Sequence, residues 1–278
     1  MDGRIDRVQG SDREKYCVGG VRFLNARPML YGLDDLENID LQEAPPSYLA
    51  AGMKSGKFHA ALIPSIDYQL TDANWRVLSV AAIGSKGEVL TVRVFSRKPL
   101  SEIDELACDG DSHTSVVLSQ VIWHLRYQRN IRVVPLSGSI EQEQAVLLIG
   151  DKVVSQLNRW PHELDLGRAW DEATGLPFVY AFWALPDRED LTPLAEILQQ
   201  TARSGLNNID AIVNECAGQY GFMKELATQY LTQNLSFRFG QKEMNGLSRF
   251  YQLAADLDLI PAWKKLKIFP ISQVSETV

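Results

Sequence analysis

The 278-residue sequence predicts an α/β protein of two lobes, with hinge strands between them and a helical C-terminal region packed on lobe 1. Three observations predict this class. From Tyr16 onward, apolar runs that stop at prolines alternate with helix-period segments, which is the order of βαβ units. A second alternation of the same kind follows "WRVLSVAAIGS" and "EVLTVRVFSR", two β-branched segments suited to pairing or to crossing between lobes. Roughly the last ninety residues carry helical spacing only. The expected boundaries are residues 16–92 plus 181–278 for lobe 1, 93–180 for lobe 2, and 1–15 as a flexible tail.

Taken in order, "YCVGGVRFLN" reads as a buried strand whose glycines permit close backbone approach. "ARPMLYGLDDL" reads as a loop and short helix, and "IDLQEAP" as a strand halted by Pro45 and Pro46. "PSYLAAGMKSGKF" has helical spacing at Leu49, Met53 and Phe58, with Ser47 as its expected cap. "HAALIPS" suits a buried parallel strand ending at Pro64. "LACDG" is a strand, and "DSHTSVVLSQVIWHLRYQ" is a helix whose Val117, Val121 and Leu125 fall on one face. "IRVVPL" and "QAVLLIGD" are further strands, and "FVYAFWAL" is a strand returning to the first lobe. "LTPLAEILQQTARSGLNNIDAIVNECAGQY", "MKELATQYLTQN" and "GQKEMNGLSRFYQLAADLDLI" are helical. No internal repeat or low-complexity segment interrupts the pattern.

Composition narrows the function classes. The hydrophobic share of 45% and charged share of 23% are those of an ordinary globular chain. A net charge of -7 argues against nucleic-acid binding, which needs clustered Lys and Arg, but leaves room for one local anion site. Cys17, Cys108 and Cys216 are far apart, form no CxxC, and suggest reduced thiols in a cytoplasmic protein, not a disulfide or zinc framework. The four histidines show no metal-ligand spacing. The polar N-terminus has no signal-peptide pattern, and no apolar run reaches the ~18 residues of a membrane span. The expectation is a small-molecule site, with no membrane or nucleic-acid partner; oligomeric state is not legible.

Three stretches carry candidate ligand groups. In "DGDSHTSVVLSQ" a helix starting near Ser112 would present free N–H groups beside the hydroxyls of Ser112, Thr114 and Ser115, a seat for a carboxylate or phosphate. The same residues read equally well as an N-cap with incidental hydroxyls. In "LIPSIDY", Ser65 and Ile66 offer backbone donors at a strand's C-terminal end; a plain turn is the simpler reading. In "FLNARP", Asn25 and Arg27 follow the first strand. Arg27 either clamps a carboxylate bidentately or pairs with a surface acid such as those in "LDDLE", and from the residues alone the surface pair is favoured. His113 gains interest from its position in the anion stretch.

Together, "VRFLNARPMLYGL", "PPSYLAAGMKSGKFHAALIPSIDY", "DGDSHTSVVL", "AVLLIGD" and "DLGRAWDEATGLPFVYAFWAL" resemble, in order, the successive motifs of the chorismate dehydratase family of the futalosine route to menaquinone. The resemblance implies a fold like type II periplasmic binding proteins. It implies dehydration of chorismate to 3-[(1-carboxyvinyl)oxy]benzoate, a carbon–oxygen lyase reaction, without metal or organic cofactor. The sister enzyme 1,4-dihydroxy-6-naphthoate synthase shares the fold but opens with a different motif, and a non-catalytic small-anion binding protein is the alternative from another class. By this resemblance Asn25 and Thr91 are the catalytic residues. Arg27, Ser65, Ile66, Ser112, Thr114 and Ser115 are the substrate-binding ones. Thr91 stands where the family commonly has Ser, Glu88 where it has Pro, His113 where it has Arg, and His59 where it has Asp.

Overall fold

The computed structural model describes residues 15–110 and 113–271. Residues 1–14 of the expected tail, and Ser112, therefore lie outside the described residues.

The first lobe begins with strand β1 (Tyr16–Gly20), which runs parallel to β2 (Ile39–Glu43) and to β3 (Ala60–Pro64). Helix α1 (Arg27–Leu30) follows β1, and α2 (Pro46–Lys54) connects β2 to β3. A short helix α3 (Asp67–Leu70) follows β3. Strand β4 (Trp75–Ser85) then lies at the sheet's edge. The chain crosses to the second lobe and forms β5 (Val92–Ser96), β6 (Glu105–Cys108), helix α4 (His113–Tyr127), β7 (Arg132–Pro135), β8 (Ala145–Ile149), β9 (His162–Asp165) and helix α5 (Leu166–Thr174). It returns as β10 (Phe178–Pro186).

The two sheets repeat one plan. Their strand orders are β2-β1-β3-β10-β4 and β7-β6-β8-β5-β9. In each, three parallel strands meet a fourth that arrives by a crossing and runs antiparallel: β10 against β3 and β4, β5 against β8 and β9. Each crossing thus ends in the interior of a sheet, so the two lobes are tied by two backbone connections.

Helices α6 (Thr192–Asn207), α7 (Ile209–Cys216), α8 (Lys224–Gln229) and α9 (Gln241–Asp256) follow β10. α6 packs on α1 and β4, so closely that a Cβ on Gly205 would lie 2.0 Å from the Pro28 carbonyl oxygen. α9 packs on β10 and also reaches α4 of the second lobe. Between sheet and helices lies an aromatic core in which Trp170, Phe178 and Phe250 meet edge to face, and Phe182 lies between Tyr68 and Phe239.

The structure corrects several local expectations. The first strand stops at Gly20, and Leu24–Ala26 form a tight 3-10 turn leading into α1. Ser47 is not the cap of α2: the N-cap is Pro45, no side chain caps the helix, and Pro46 occupies the first turn, where its missing N–H costs nothing. "EVLTVRVFSR" becomes strand only from Val92, because Leu90 has φ 72°, a left-handed conformation incompatible with extended pairing. β9 has only four residues, most of them polar, and gives no periodic signal. Helix α5 had readable punctuation, an Asp165 N-cap and a left-handed Gly175 at its C-terminus. Among the described residues no helix is long and apolar enough to cross a membrane.

Candidate functional site

The end of the first crossing, residues 86–91, is gripped by a carboxylate. Asp165, at the N-terminus of α5, accepts from the backbone N–H groups of Val89 (3.0 Å), Leu90 (2.8 Å) and Arg168 (2.9 Å). Arg93 stands beside it, 3.3 Å away. Burial pushes the Asp165 carboxyl up from its ordinary range, and the three N–H donors and Arg93 oppose that shift. The strained backbone at Leu90 is therefore over-determined from the α5 side, a common arrangement at functional sites. Its consequence is local: Thr91, the next residue, is 1% exposed and turns its side chain between the lobes. The Thr91 carbonyl accepts from Gly150 N–H at 2.8 Å, which fixes the end of β8 against the crossing.

Thr91, Asn25, Thr114 and Ser115 line one cavity of about 60 Å³ between the two sheets. Asn25 comes from the turn after β1, Thr114 and Ser115 from the first turn of α4. The rest of the wall is apolar or aromatic, including Phe23, Leu62 and Tyr180. Among the described residues no charged side chain lines it. The Asn25 Oδ1 is buried and has no hydrogen-bond partner among the described residues. An amide carbonyl left so in an apolar wall is an open position for a ligand's donor, since an unmet buried acceptor costs about 1–3 kcal/mol. Gly150 makes the closure possible. It has φ 65°, and a Cβ there would lie 2.8 Å from the Phe23 ring.

Among the described candidates, Arg27, Ser65 and Ile66 are not at this wall. Arg27 points away from the cavity and pairs with Glu43 at 2.7 Å. Its outer side forms a surface cleft with Tyr31, Asp34 and Asp35. Ser65 is fully buried and fully used: its N–H donates to Tyr180 O at 2.9 Å and its hydroxyl to Val179 O at 2.8 Å. The Ile66 N–H donates to Thr114 Oγ1 at 3.2 Å, so it meets the second lobe's hydroxyl in place of a ligand.

Further contacts span the lobes. His113 Nδ1 lies 2.7 Å from Asp67 Oδ1, and this hydrogen bond raises the histidine above its ordinary pKa against partial burial. Asp151, directly after the Gly150 turn, accepts from the Leu24 N–H at 3.4 Å. Burial pushes its carboxyl up to about 7. Tyr230, from the C-terminal helices, brings its hydroxyl to 2.6 Å from Thr91 Oγ1. Sequence reasoning gave no role to Asp165, Asp151 or Tyr230. The position of Asp165 before a helix was a readable cap signal. Tyr230 lies in a helical segment and had no local signal at all. Among the described residues no group of three or more His, Cys, Asp or Glu side chains is placed to hold a metal ion.

The match to known proteins follows the same frame. A family model described as menaquinone biosynthesis matches residues 16–256. The chain belongs to the menaquinone biosynthesis family. Among curated proteins it is similar to the chorismate dehydratase of Thermus thermophilus, 27% identical over 262 residues that cover 84% of this chain and 93% of that one. Among solved structures, a protein from Archaeoglobus fulgidus superposes with a TM-score of 0.69 at 20% identity, covering 90% of this chain and all 100% of the other. The periplasmic aliphatic sulphonate binding protein of Escherichia coli superposes at 0.63 with 15% identity, over 92% and 96% of the two chains. At such identities the structural likenesses speak for the fold, and the fold is that of periplasmic binding proteins.

Proposed function

We propose that this family member is a cytoplasmic chorismate dehydratase that binds chorismate between its lobes and converts it to 3-[(1-carboxyvinyl)oxy]benzoate and water. One observation carries the reading: Asn25 and Thr91, the residues assigned to catalysis by resemblance, converge with Thr114 and Ser115 on one buried interlobe cavity. The 27% identity to a chorismate dehydratase supports it.

The chemistry suits such a wall. Chorismate becomes aromatic on losing its 4-hydroxyl and one ring proton, so the reaction is downhill and the protein has mainly to orient it. Orientation alone supplies about 7–11 kcal/mol in intramolecular reactions. Among the described residues the cavity lining offers no Asp, Glu or His as base. In this reading the substrate's enolpyruvyl carboxylate takes the ring proton, the C–O bond to the 4-hydroxyl breaks, and the hydroxide departs as water with that proton. In this reading an apolar wall makes the substrate carboxylate a stronger base, because desolvation disfavours its ionised form. Asn25 and Thr91 hold the reacting carboxylate and the departing hydroxyl. Thr114 and Ser115, at the start of α4, hold the other carboxylate with hydroxyls and the helix dipole. In this reading the substrate enters as the lobes part about the two crossings and is enclosed as they close again.

The test is to incubate the purified protein with chorismate and follow the product by chromatography and mass. Loss of one water to give the enolpyruvyl benzoate supports the reading. No turnover, with chorismate still raising the melting temperature, would make the protein a small-anion binder. A futile assay with chorismate alongside turnover of the sister synthase's substrate would assign it to that activity.

A further inference from the structure

We infer that Tyr230 is a positioning residue for this reaction, fixing the Thr91 hydroxyl as a hydrogen-bond donor into the cavity; the inference rests on the dehydratase reading above.

Tyr230 opens a single π-helical turn, Tyr230–Asn234, that continues α8. The turn is closed by the Leu235 N–H donating to the Tyr230 carbonyl at 3.0 Å. Such wide turns are rare and concentrate at functional sites. This one turns both of its ends to the strained crossing. Tyr230 reaches Thr91 Oγ1 at 2.6 Å, and Asn234 Nδ2 donates to the Glu88 carbonyl at 3.2 Å. The phenol is fully buried, and its ring stacks on Phe222 with centroids 5.4 Å apart and planes 15° from parallel. Two rotatable bonds held by that stack leave the hydroxyl little freedom of direction. Asn25 approaches the same hydroxyl, so the two residues assigned to catalysis meet at Tyr230 although one follows β1 and the other ends the first crossing.

Of the two hydroxyls that could donate this bond, the inference assigns the tyrosine as the donor. Burial pushes the phenol well above its ordinary pKa, so it remains a protonated donor at any working pH. A tyrosine donating to Thr91 Oγ1 leaves the threonine's own proton for the ligand. The chain Tyr230 to Thr91 to departing hydroxyl then strengthens along its length, as hydrogen bonds in series do at low dielectric. Tyr230 does not line the cavity, so it acts through Thr91 and touches no reacting atom. No proton leaves the phenol.

The experiment is a double-mutant cycle on chorismate turnover, using wild type, Tyr230→Phe, Thr91→Val and the double variant, each checked by melting temperature. Tyr230→Phe keeps the ring and its stack. It should lower kcat by about 10- to 100-fold with KM changed less than about 3-fold, since the lost bond matters when charge develops on the departing oxygen. In the Thr91→Val background the same change should have no further effect beyond about 2-fold. In Thr91→Ser, which keeps a hydroxyl partner, it should cost as much as in wild type. A Tyr230→Phe enzyme with wild-type kcat overturns the inference, as does a loss that simply multiplies that of Thr91→Val, the mark of a packing role. An inactive wild type removes the dehydratase reading itself and this inference with it, whereas an active wild type with an equally active Tyr230→Phe removes only the tyrosine.

Discussion

The two walls of the cleft are built differently. The first lobe's wall rests on a deep support: its sheet is backed by α6 and α9, and Phe182, Trp183, Phe250 and Tyr251 are all essentially inaccessible. The second lobe's sheet is thinner. One face carries α4 and α5, and the other is covered by a small cluster of Phe95, Val146, Leu148 and Val153 with half-buried Leu136, Ile140, Leu157 and Trp160. The polar groups divide in the same way. The first lobe offers an amide with an unmet acceptor, and the second offers hydroxyls at a helix start. Under the proposed dehydratase reading this becomes a division of labour: a rigid lobe that aligns the reacting centre and a lighter lobe that holds and releases an anion.

The largest expected effects test the support itself. Phe182→Ala should cost about 3–5 kcal/mol of unfolding free energy, while Leu148→Ala in the small cluster should cost about 2 kcal/mol. Denaturant unfolding of both variants measures this, and equal losses would abolish the contrast between the lobes. Next comes the chemistry. Asn25→Ala should lower kcat by about 100- to 1,000-fold, the range for removal of one preorganised polar contact, with a small change in melting temperature. Retained turnover would remove Asn25 from the mechanism. Thr114→Val, on the other wall, should instead raise KM roughly 10-fold with a smaller loss of kcat, because a carboxylate-binding hydroxyl acts on bound substrate and transition state alike. A kcat effect as large as that of Asn25→Ala would mean that both walls serve the reacting centre.

The pH dependence probes the join between the walls. Asp151 titrates near 7 when folded and lower when unfolded, so the folded state binds the extra proton between those values and stability falls as pH rises through that window. Asp151→Asn should remove this slope. Its melting temperature relative to wild type should climb from about pH 4 to about pH 7 and then level. A constant difference would show that Asp151 is not buried between the lobes. The His113–Asp67 pair adds to the same trend: a raised histidine stabilises fully below its unfolded pKa and loses that contribution as pH rises through the folded one. The effect is small because the His113 side chain is 43% exposed. The smallest effect on turnover is expected from Arg27→Ala, which breaks a partly buried ion pair with Glu43 outside the cavity and should leave kcat and KM within about 2-fold. A large rise in KM would return Arg27 to the site.

The site was partly legible before the fold was known. Asn25, Thr114 and Ser115 could be named because each sits in a motif at the end of a strand or the start of a helix, and Thr91 only because it stands where the family it resembles commonly has Ser. Arg27 and Ser65 sit in the same motifs and point elsewhere. Two residues after Asn25 the chain is already helical, so Arg27 projects from the far side of the turn toward Glu43. Ser65 is taken up by β10, a partner 114 residues away in sequence.

The sequence by itself determined the two-lobed class, the family and most of the order of strands and helices, β9 and α3 excepted, since periodic burial and ordered motifs are local properties of the chain. Only the tertiary structure decided which polar groups face the cleft. Tyr230 meets Thr91 across 139 residues, Asp165 clamps the crossing from 75 residues away, and Asp151 becomes a carboxyl of raised pKa only because the lobes close over it. Direction, desolvation and hydrogen-bond partnership are set by neighbours that are distant in the chain, and no local pattern encodes them.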